Sequence, residues 1–143
     1  MQTDRAMKLA NAVHRAVLTI TFGKVGWKAA GMLVIELTTT GRKSGQPRTC
    51  LLTSPVQLGD TVVVVASRGG DSRHPDWYHN LLEHPEVRVS VGGRPSERRI
   101  AREATDDERA ELWPRAVSVY PNYDKYQGKT NRRIPMVLLE RPA

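Results

Sequence analysis

Apolar positions along the chain follow a helical spacing first and a strand spacing afterwards. Ala6, Leu9, Ala10, Val13, Ala16, Val17 and Ile20 fall on one helical face, with Arg5, Lys8 and Arg15 opposite. That pattern suits a packing helix with a solvated back, and equally a basic amphipathic helix lying on an anionic membrane surface. Short β-branched runs then predict strands over residues 32–37, 49–53 and 61–66. The third holds consecutive valines from Val62 to Val65, the pattern of a strand buried on both faces. Gly59-Asp60 before it signals a hairpin turn. Val87, Val89 and Val91 alternate with Arg88 and Ser90, as in a half-buried strand. Gly92-Gly93 turns the chain into a strand over 98–104. A last strand covers 134–140, with Pro135 near its start, where a missing N–H is tolerated.

Helices interrupt these strands at two places. Pro75 suits a first helical position and Asp76 adds an acid to the first turn, so a helix runs to Glu83 before His84-Pro85. Thr105 and Glu108 have the spacing of a capping box. Ala110, Trp113, Ala116, Val117 and Tyr120 form the apolar face of the helix that follows, with a bend expected at Pro114. Six or so strands with few helices imply a mainly β (α+β) protein, an antiparallel barrel decorated by helices.

Length and composition narrow the class. A chain of 143 residues fits one domain of ordinary size, and no repeat or linker divides it. Its organisation is read as an amphipathic segment over 1–28 followed by a barrel domain over 29–143. A single cysteine, Cys50, excludes an internal disulfide framework. No apolar run approaches the roughly 20 residues of a spanning helix, and no clear signal peptide is present. The expected compartment is the cytoplasm, with peripheral contact at the inner membrane face through residues 1–22 as the alternative. The formal net charge of +7 favours an anionic partner: nucleic acid, an acidic membrane face or a phosphorylated small molecule.

The candidate chemistry is that of binding. Gly41 and Gly45 frame Arg42, Lys43 and Ser44, and Arg48 follows on the next strand. Such a turn aims backbone N–H groups and cations at an anion, although a solvated basic hairpin has the same residues. It lacks the spacing of a phosphate-binding P-loop. Ser67-Arg68-Gly69-Gly70 closes the valine strand at a place suited to a pocket mouth. The helix from Pro75 offers free N–H groups, with Trp77 and Tyr78 in its first turn able to cover a ring or to pack in the core. Tyr120, Tyr123 and Tyr126, spaced by three, would line one side of a helix. His74, His79 and His84 are spaced by five, which does not favour a metal site. No nucleophile elbow and no dinucleotide fingerprint appears. A bound redox cofactor would require no protein nucleophile. Nucleic acid is not expected as a partner: it would require surface aromatics interleaved with the cations, and only the tyrosines qualify, far along the chain from Arg42-Lys43.

Residues 38–48, Thr-Thr-Thr-Gly-Arg-Lys-Ser-Gly-Gln-Pro-Arg, resemble the signature of the deazaflavin-dependent nitroreductase family, a group of actinobacterial split-barrel reductases that use coenzyme F420. Three further blocks match in family order: Ala-Ser-Arg-Gly-Gly at 66–70, Pro-Asp-Trp-Tyr-His-Asn-Leu at 75–81, and Tyr-Pro-Asn-Tyr-Asp-Lys-Tyr-Gln at 120–127. Similarity covers about residues 30–142. The resemblance implies a split β-barrel of six to seven antiparallel strands with flanking helices. It also implies hydride transfer from reduced F420 to a quinone, enone or nitro-type acceptor. Arg42, Lys43 and Ser44 would then meet the phosphate and acidic tail of the coenzyme, and Arg48, Thr49, Cys50, Leu51, Leu52 and Thr53 would line the same groove. Val65, Ala66, Ser67 and Arg68 would lie along the deazaflavin ring. Asp76, Trp77, Tyr78, His79 and Asn80 would complete the anion site. Tyr123 would contact ring or substrate. Ser67, Tyr120, Tyr123 and Tyr126 match positions tied to substrate binding and proton delivery. No metal is implied, and a homodimer fits by analogy with other split barrels. The alternatives are an FMN-binding reductase on the same barrel and a non-catalytic F420 carrier.

Overall fold

A computed structural model describes residues 31–143 together with the backbone of Lys28–Ala29. The amphipathic helix expected over residues 6–20 lies outside the described residues. Eight strands form one antiparallel sheet: β1 (Lys28–Ala29), β2 (Met32–Thr40), β3 (Pro47–Ser54), β4 (Val56–Leu58), β5 (Thr61–Val65), β6 (Glu86–Val91), β7 (Glu97–Glu103) and β8 (Met136–Glu140). The count exceeds the six to seven expected because β1 and β4 are only two and three residues long, too short for a periodic signal. Among the described residues the helices are α1 (Asp76–Glu83), α2 (Asp106–Val119) and α3 (Asn122–Gly128), with a 3-10 turn at Arg68–Gly70.

The strand order is β1-β2-β6-β7-β8-β5-β4, and β3 pairs with the other edge of β2. Ile35 accordingly sits opposite Leu52 on one side and Val91 on the other. The two ends of the sheet, β3 and β4, are consecutive strands separated by Pro55 alone, so the sheet curls back on itself. Ser54 holds that corner. Its buried hydroxyl lies 2.9 Å from the Val56 carbonyl and 2.6 Å from the Val63 carbonyl, and it accepts from Gln57 Nε2 at 3.0 Å. The architecture is the split β-barrel that the resemblance implies.

Alternation within the strands produces two cores. Val62 and Val64 join Ile35, Leu37, Val87, Val89, Val137 and Leu139 inside the barrel, while Val63 and Val65 join Met136 and Leu138 on the outer face. The valine strand is thus buried on both sides, as its sequence predicts. Helix α1 delivers Tyr78 and Leu81 to the inner cluster. Helices α2 and α3 cover the outer one with Leu112, Ala116 and Tyr123.

Local signals are obeyed with small shifts. Pro75 is the N-cap of α1 rather than its first helical residue, and its carbonyl accepts from Tyr78 N at 3.1 Å. The Thr105 capping box forms in both directions, Glu108 N to Thr105 Oγ1 at 3.2 Å and Thr105 N to Glu108 Oε1 at 2.9 Å. Arg102 clamps the same carboxylate at 2.7 and 2.8 Å, which holds Glu108 far below the usual range, at about 2. Pro114 does not end α2, which runs on to Val119. Thr105→Ala is expected to cost about 1 kcal/mol in denaturant unfolding, the usual worth of an N-cap.

Candidate functional site

The turn after β2 is built by its own backbone. Gly41 N donates to the Gln46 carbonyl and Gly45 N to the Gly41 carbonyl, both at 2.8 Å. A side chain on Gly41 would place its Cβ 2.7 Å from Ser44 Oγ. Ser44 Oγ accepts from Gln46 N at 3.2 Å and from Arg48 Nη2 at 3.3 Å. The turn is latched to α1 by Asn80, which is buried. Asn80 Oδ1 accepts from Arg42 N at 3.1 Å and Arg42 Nη1 at 2.9 Å, and Asn80 Nδ2 donates to buried Thr39 Oγ1 at 3.1 Å. Arg42 also reaches the carbonyl and carboxylate of Asp76, each at 3.4 Å. Arg42, Asp76 and Asn80 are therefore brought together, with Arg42 as the latch. Lys43, Ser44, Arg48 and Thr49 stand exposed at the tip, and Thr49 shares a 2.8 Å hydrogen bond with Thr38. Among the described residues neither Lys43 nor Arg48 has a carboxylate partner.

The loop after β5 is the second part. Arg68 is buried with φ 47°, a left-handed backbone that side chains rarely adopt, and it pairs with Asp71 at 3.3 Å. Gly70 (φ 83°) approaches α3 so closely that a Cβ there would lie 2.8 Å from the Tyr126 carbonyl. Arg132 staples this loop. Its guanidinium donates to the carbonyls of Ser67 at 2.6 Å, Asp71 at 2.8 Å and Ala66 at 3.1 Å, and meets His74 Nδ1 at 3.0 Å. Sequence reasoning missed Arg132, because a lone arginine ahead of a strand carries no motif. Burial, then the neighbouring Arg132 charge, lower the His74 pKa below its ordinary value. The ring that accepts from Arg132 is neutral.

A pH dependence follows from that shift. The unfolded chain takes up a proton at His74 more readily than the folded one. The His74 contribution is complete above pH ~6.5 and is lost as pH falls through that value towards the lowered folded pKa. Melting temperatures measured at pH 7.5 and 5.5 should drop less for His74→Gln than for the unsubstituted chain. Equal drops would remove His74 from the account.

The tyrosines form the third part, although on two elements. Tyr120 caps the end of α2, whereas Tyr123 and Tyr126 lie on α3. Their rings pack 5.0 to 6.4 Å apart, and the hydroxyls of Tyr120 and Tyr126 lie 3.2 Å from each other. The Tyr120 partnership, then burial, push Tyr126 up to about 12, while the hydrogen bond with Tyr126 lowers Tyr120. Either hydroxyl can donate to the other, so the Tyr126 proton is free to turn to another acceptor when Tyr120 donates. Tyr123 is buried, its hydroxyl donates to Met32 Sδ at 3.4 Å, and burial raises it to about 12. Thr53 lies close enough to the Tyr123 hydroxyl to counter part of that rise, so the end of β3 meets this cluster.

Other expected residues have different surroundings. Cys50, Leu52 and Trp77 pack against the inner barrel core, and Leu51, Val65 and Ala66 are buried. Tyr78 donates to Glu103 Oε1, and burial, then that bond, raise its pKa. His79 stacks edge-on to His74 at 5.6 Å. The basic turn and the tyrosine cluster sit at opposite ends of β3. Arg48 and Thr53 are five residue steps apart, about 17 Å along a strand.

A sequence model of F420H2-dependent quinone reductases matches residues 11–141. The chain belongs to this family. An F420H2-dependent quinone reductase of Mycobacterium tuberculosis is 39% identical over 134 residues, covering 90% of this chain and 88% of that protein. Among solved structures, an F420H2-dependent reductase is 42% identical with a TM-score of 0.67, covering 75% of this chain and 93% of that one. A chain described as a domain-swapped dimer is also 42% identical, with a TM-score of 0.68 and coverage of 75% and 79%.

The residues of this family member fit a deazaflavin coenzyme with a phosphodiester and a carboxylate tail. Among the described residues Lys43 on the turn and Arg48 at the start of β3 have no carboxylate partner, and the turn is too tight at Gly41 for a Cβ. The span of β3 suits an elongated ligand, charged at the turn and ring-shaped at the tyrosines. Among the described residues no group of His, Cys, Asp and Glu could hold a metal, and no helix is long and apolar enough to cross a membrane.

Proposed function

We propose that this chain reduces quinones with hydride taken from reduced F420, and that β3 is the track along which the coenzyme lies. The carrying observation is the pair of cations that have no carboxylate partner among the described residues, Lys43 on the latched turn and Arg48 at the start of β3, in a chain from the F420H2-dependent quinone reductase family. When bound, the coenzyme supplies a two-electron hydride from the central ring of its deazaflavin. Lys43, Arg48 and Ser44 hold the phosphate and acidic tail by charge-assisted hydrogen bonds. Arg42, Asp76 and Asn80 act behind them by keeping the turn in place. The end of β5 and the loop Ser67–Gly70 form the wall for the ring, and Arg132 keeps that wall flat against α3. Cys50, Leu52 and Trp77 face the inner core and keep the barrel side of the groove dry.

The acceptor is placed beside the tyrosine cluster. With its pKa near 12, Tyr126 remains protonated at neutral pH and donates a hydrogen bond to an acceptor oxygen as charge builds there. The same value makes it a poor full proton donor, so the product oxygen takes its proton from water. Ser67 offers a second hydroxyl. Tyr123 supports the site through packing, being buried on Met32 and Thr53. A homodimer is part of this reading, on the strength of the neighbour described as a domain-swapped dimer.

The test is a titration with F420 followed by quinone-dependent oxidation of F420H2. Saturable binding at micromolar coenzyme together with quinone turnover supports the reading. Binding without turnover on quinones would make the chain a carrier, and flavin mononucleotide bound in preference to F420 would overturn the cofactor.

A further inference from the structure

The end of the barrel opposite the basic turn contains a cavity of about 220 Å³. Leu33, Val62, Val89 and Val91 form its apolar wall, and Arg94 and Arg99 line it as well. It is remote from the basic turn. Leu33 stands at one end of β2 and Thr40 at the other, seven residue steps or about 23 Å apart.

Arg99 is out of place in this setting. Strand side chains alternate, so Arg99 shares a face with Ala101, which belongs to the inner core. Only 5% of Arg99 is exposed. A guanidinium has five N–H donors. Nη1 donates to the Asp60 carbonyl at 2.7 Å and Nη2 to Glu97 Oε2 at 3.1 Å. Nε is buried and finds no acceptor among the described residues. The Glu97 side chain is itself 56% exposed, so its charge is weakened by water. A buried cation left with such partial pairing is costly unless another anion completes it. Nor does the rest of the lining supply one. Arg141 is paired with Asp60 at 3.0 Å, so the ionised lining groups are Arg94, Arg99 and Arg141 against Asp60 and Glu97, a net +1.

We propose that this barrel mouth is a second ligand site, taking a small carboxylate-bearing apolar molecule whose oxyanion sits beside Arg94 and offsets the buried charge of Arg99. Size sets the rest of the class. An apolar cavity of roughly 150 Å³ accepts a benzene ring, and the larger space here leaves room for a carboxylate beside the ring. The apolar wall takes the ring, while Arg99 and Arg94 take the charge. The site makes no use of the F420 reading and stands or falls without it.

Benzoate is the probe. Titrated into the full chain, it should shift the amide resonances of Leu33, Val91 and Arg99 and saturate with a Kd on the order of 1 mM. Benzyl alcohol, of like size but uncharged, and inorganic phosphate, charged but without a ring, should each bind at least ~10-fold more weakly. Arg99→Gln should weaken benzoate at least ~10-fold, and Val91→Trp, which fills the cavity and keeps the cation, should abolish the shifts. Unsaturated shifts, shifts centred on residues 41–48, or phosphate binding as well as benzoate would each overturn the proposal. If either variant fails to fold, the map of shifts on the unsubstituted chain still decides.

Discussion

Replacing Lys43 and Arg48 together by Ala is expected to weaken F420 binding about 100-fold. Each cation supplies a charge-assisted contact worth about 1.5–3 kcal/mol when well formed. Both stand exposed, so solvent screening brings each towards the low end, roughly tenfold apiece. The fold should survive, because neither side chain is buried and Gly41 and Gln46 close the turn through their backbones. The loss should shrink as salt is raised, since salt already screens the unsubstituted site. Arg98→Ala removes a cation of similar exposure that pairs with Glu86 elsewhere on the sheet, and it should leave the coenzyme alone. A double variant within threefold of the unsubstituted affinity would refute the role given to the turn.

Arg132→Met carries the second large effect. The substitution keeps much of the side-chain volume and removes the donors to three carbonyls and His74. Leaving part-buried acceptors unmatched costs about 1–3 kcal/mol each where water cannot reach them. With partial access, we expect about 3 kcal/mol in all, a fall in melting temperature of about 10 °C for a domain of this size. The local consequence is more specific. Arg68 occupies a left-handed backbone and Gly70 touches α3, so the loop keeps its shape only while something holds it. Coenzyme affinity at a temperature well below melting should therefore fall at least tenfold. Arg132→Lys should recover only part of it, because one ammonium cannot reproduce the planar fork. Full affinity in a well-folded Met variant would show that the loop is held by other means.

The parts of the site legible in the primary structure were those with local chemistry. The glycine-framed cationic turn announces itself in consecutive residues, and so do the loop at 67–70 and the three tyrosines. What each member does was not legible. Arg42 looks like its neighbour Lys43, yet it is turned inward onto Asn80 and Asp76, whereas Lys43 faces solvent. Asn80 reads as an ordinary helical residue until the fold brings it against Thr39, 41 positions away. Arg132 and Arg99 were invisible for the same reason. Each is defined by groups contributed from other elements, Arg132 by the loop after β5 and Arg99 by the hairpin before it.

The chain by itself determined the strands with strong alternation, the doubly buried valine run, the capped helix at Thr105 and the excess of positive charge. Those properties depend on periodicity and on near neighbours, which a linear pattern contains. Only the tertiary structure decided that β3 continues into β4 to curl the sheet, that Tyr120 and Tyr126 meet across two helices, and that one arginine staples the loop after β5 while another is buried at the far mouth of the barrel. Those outcomes depend on long-range contacts, and a side chain's hydrogen-bond partners are set by whatever the closed sheet places opposite it.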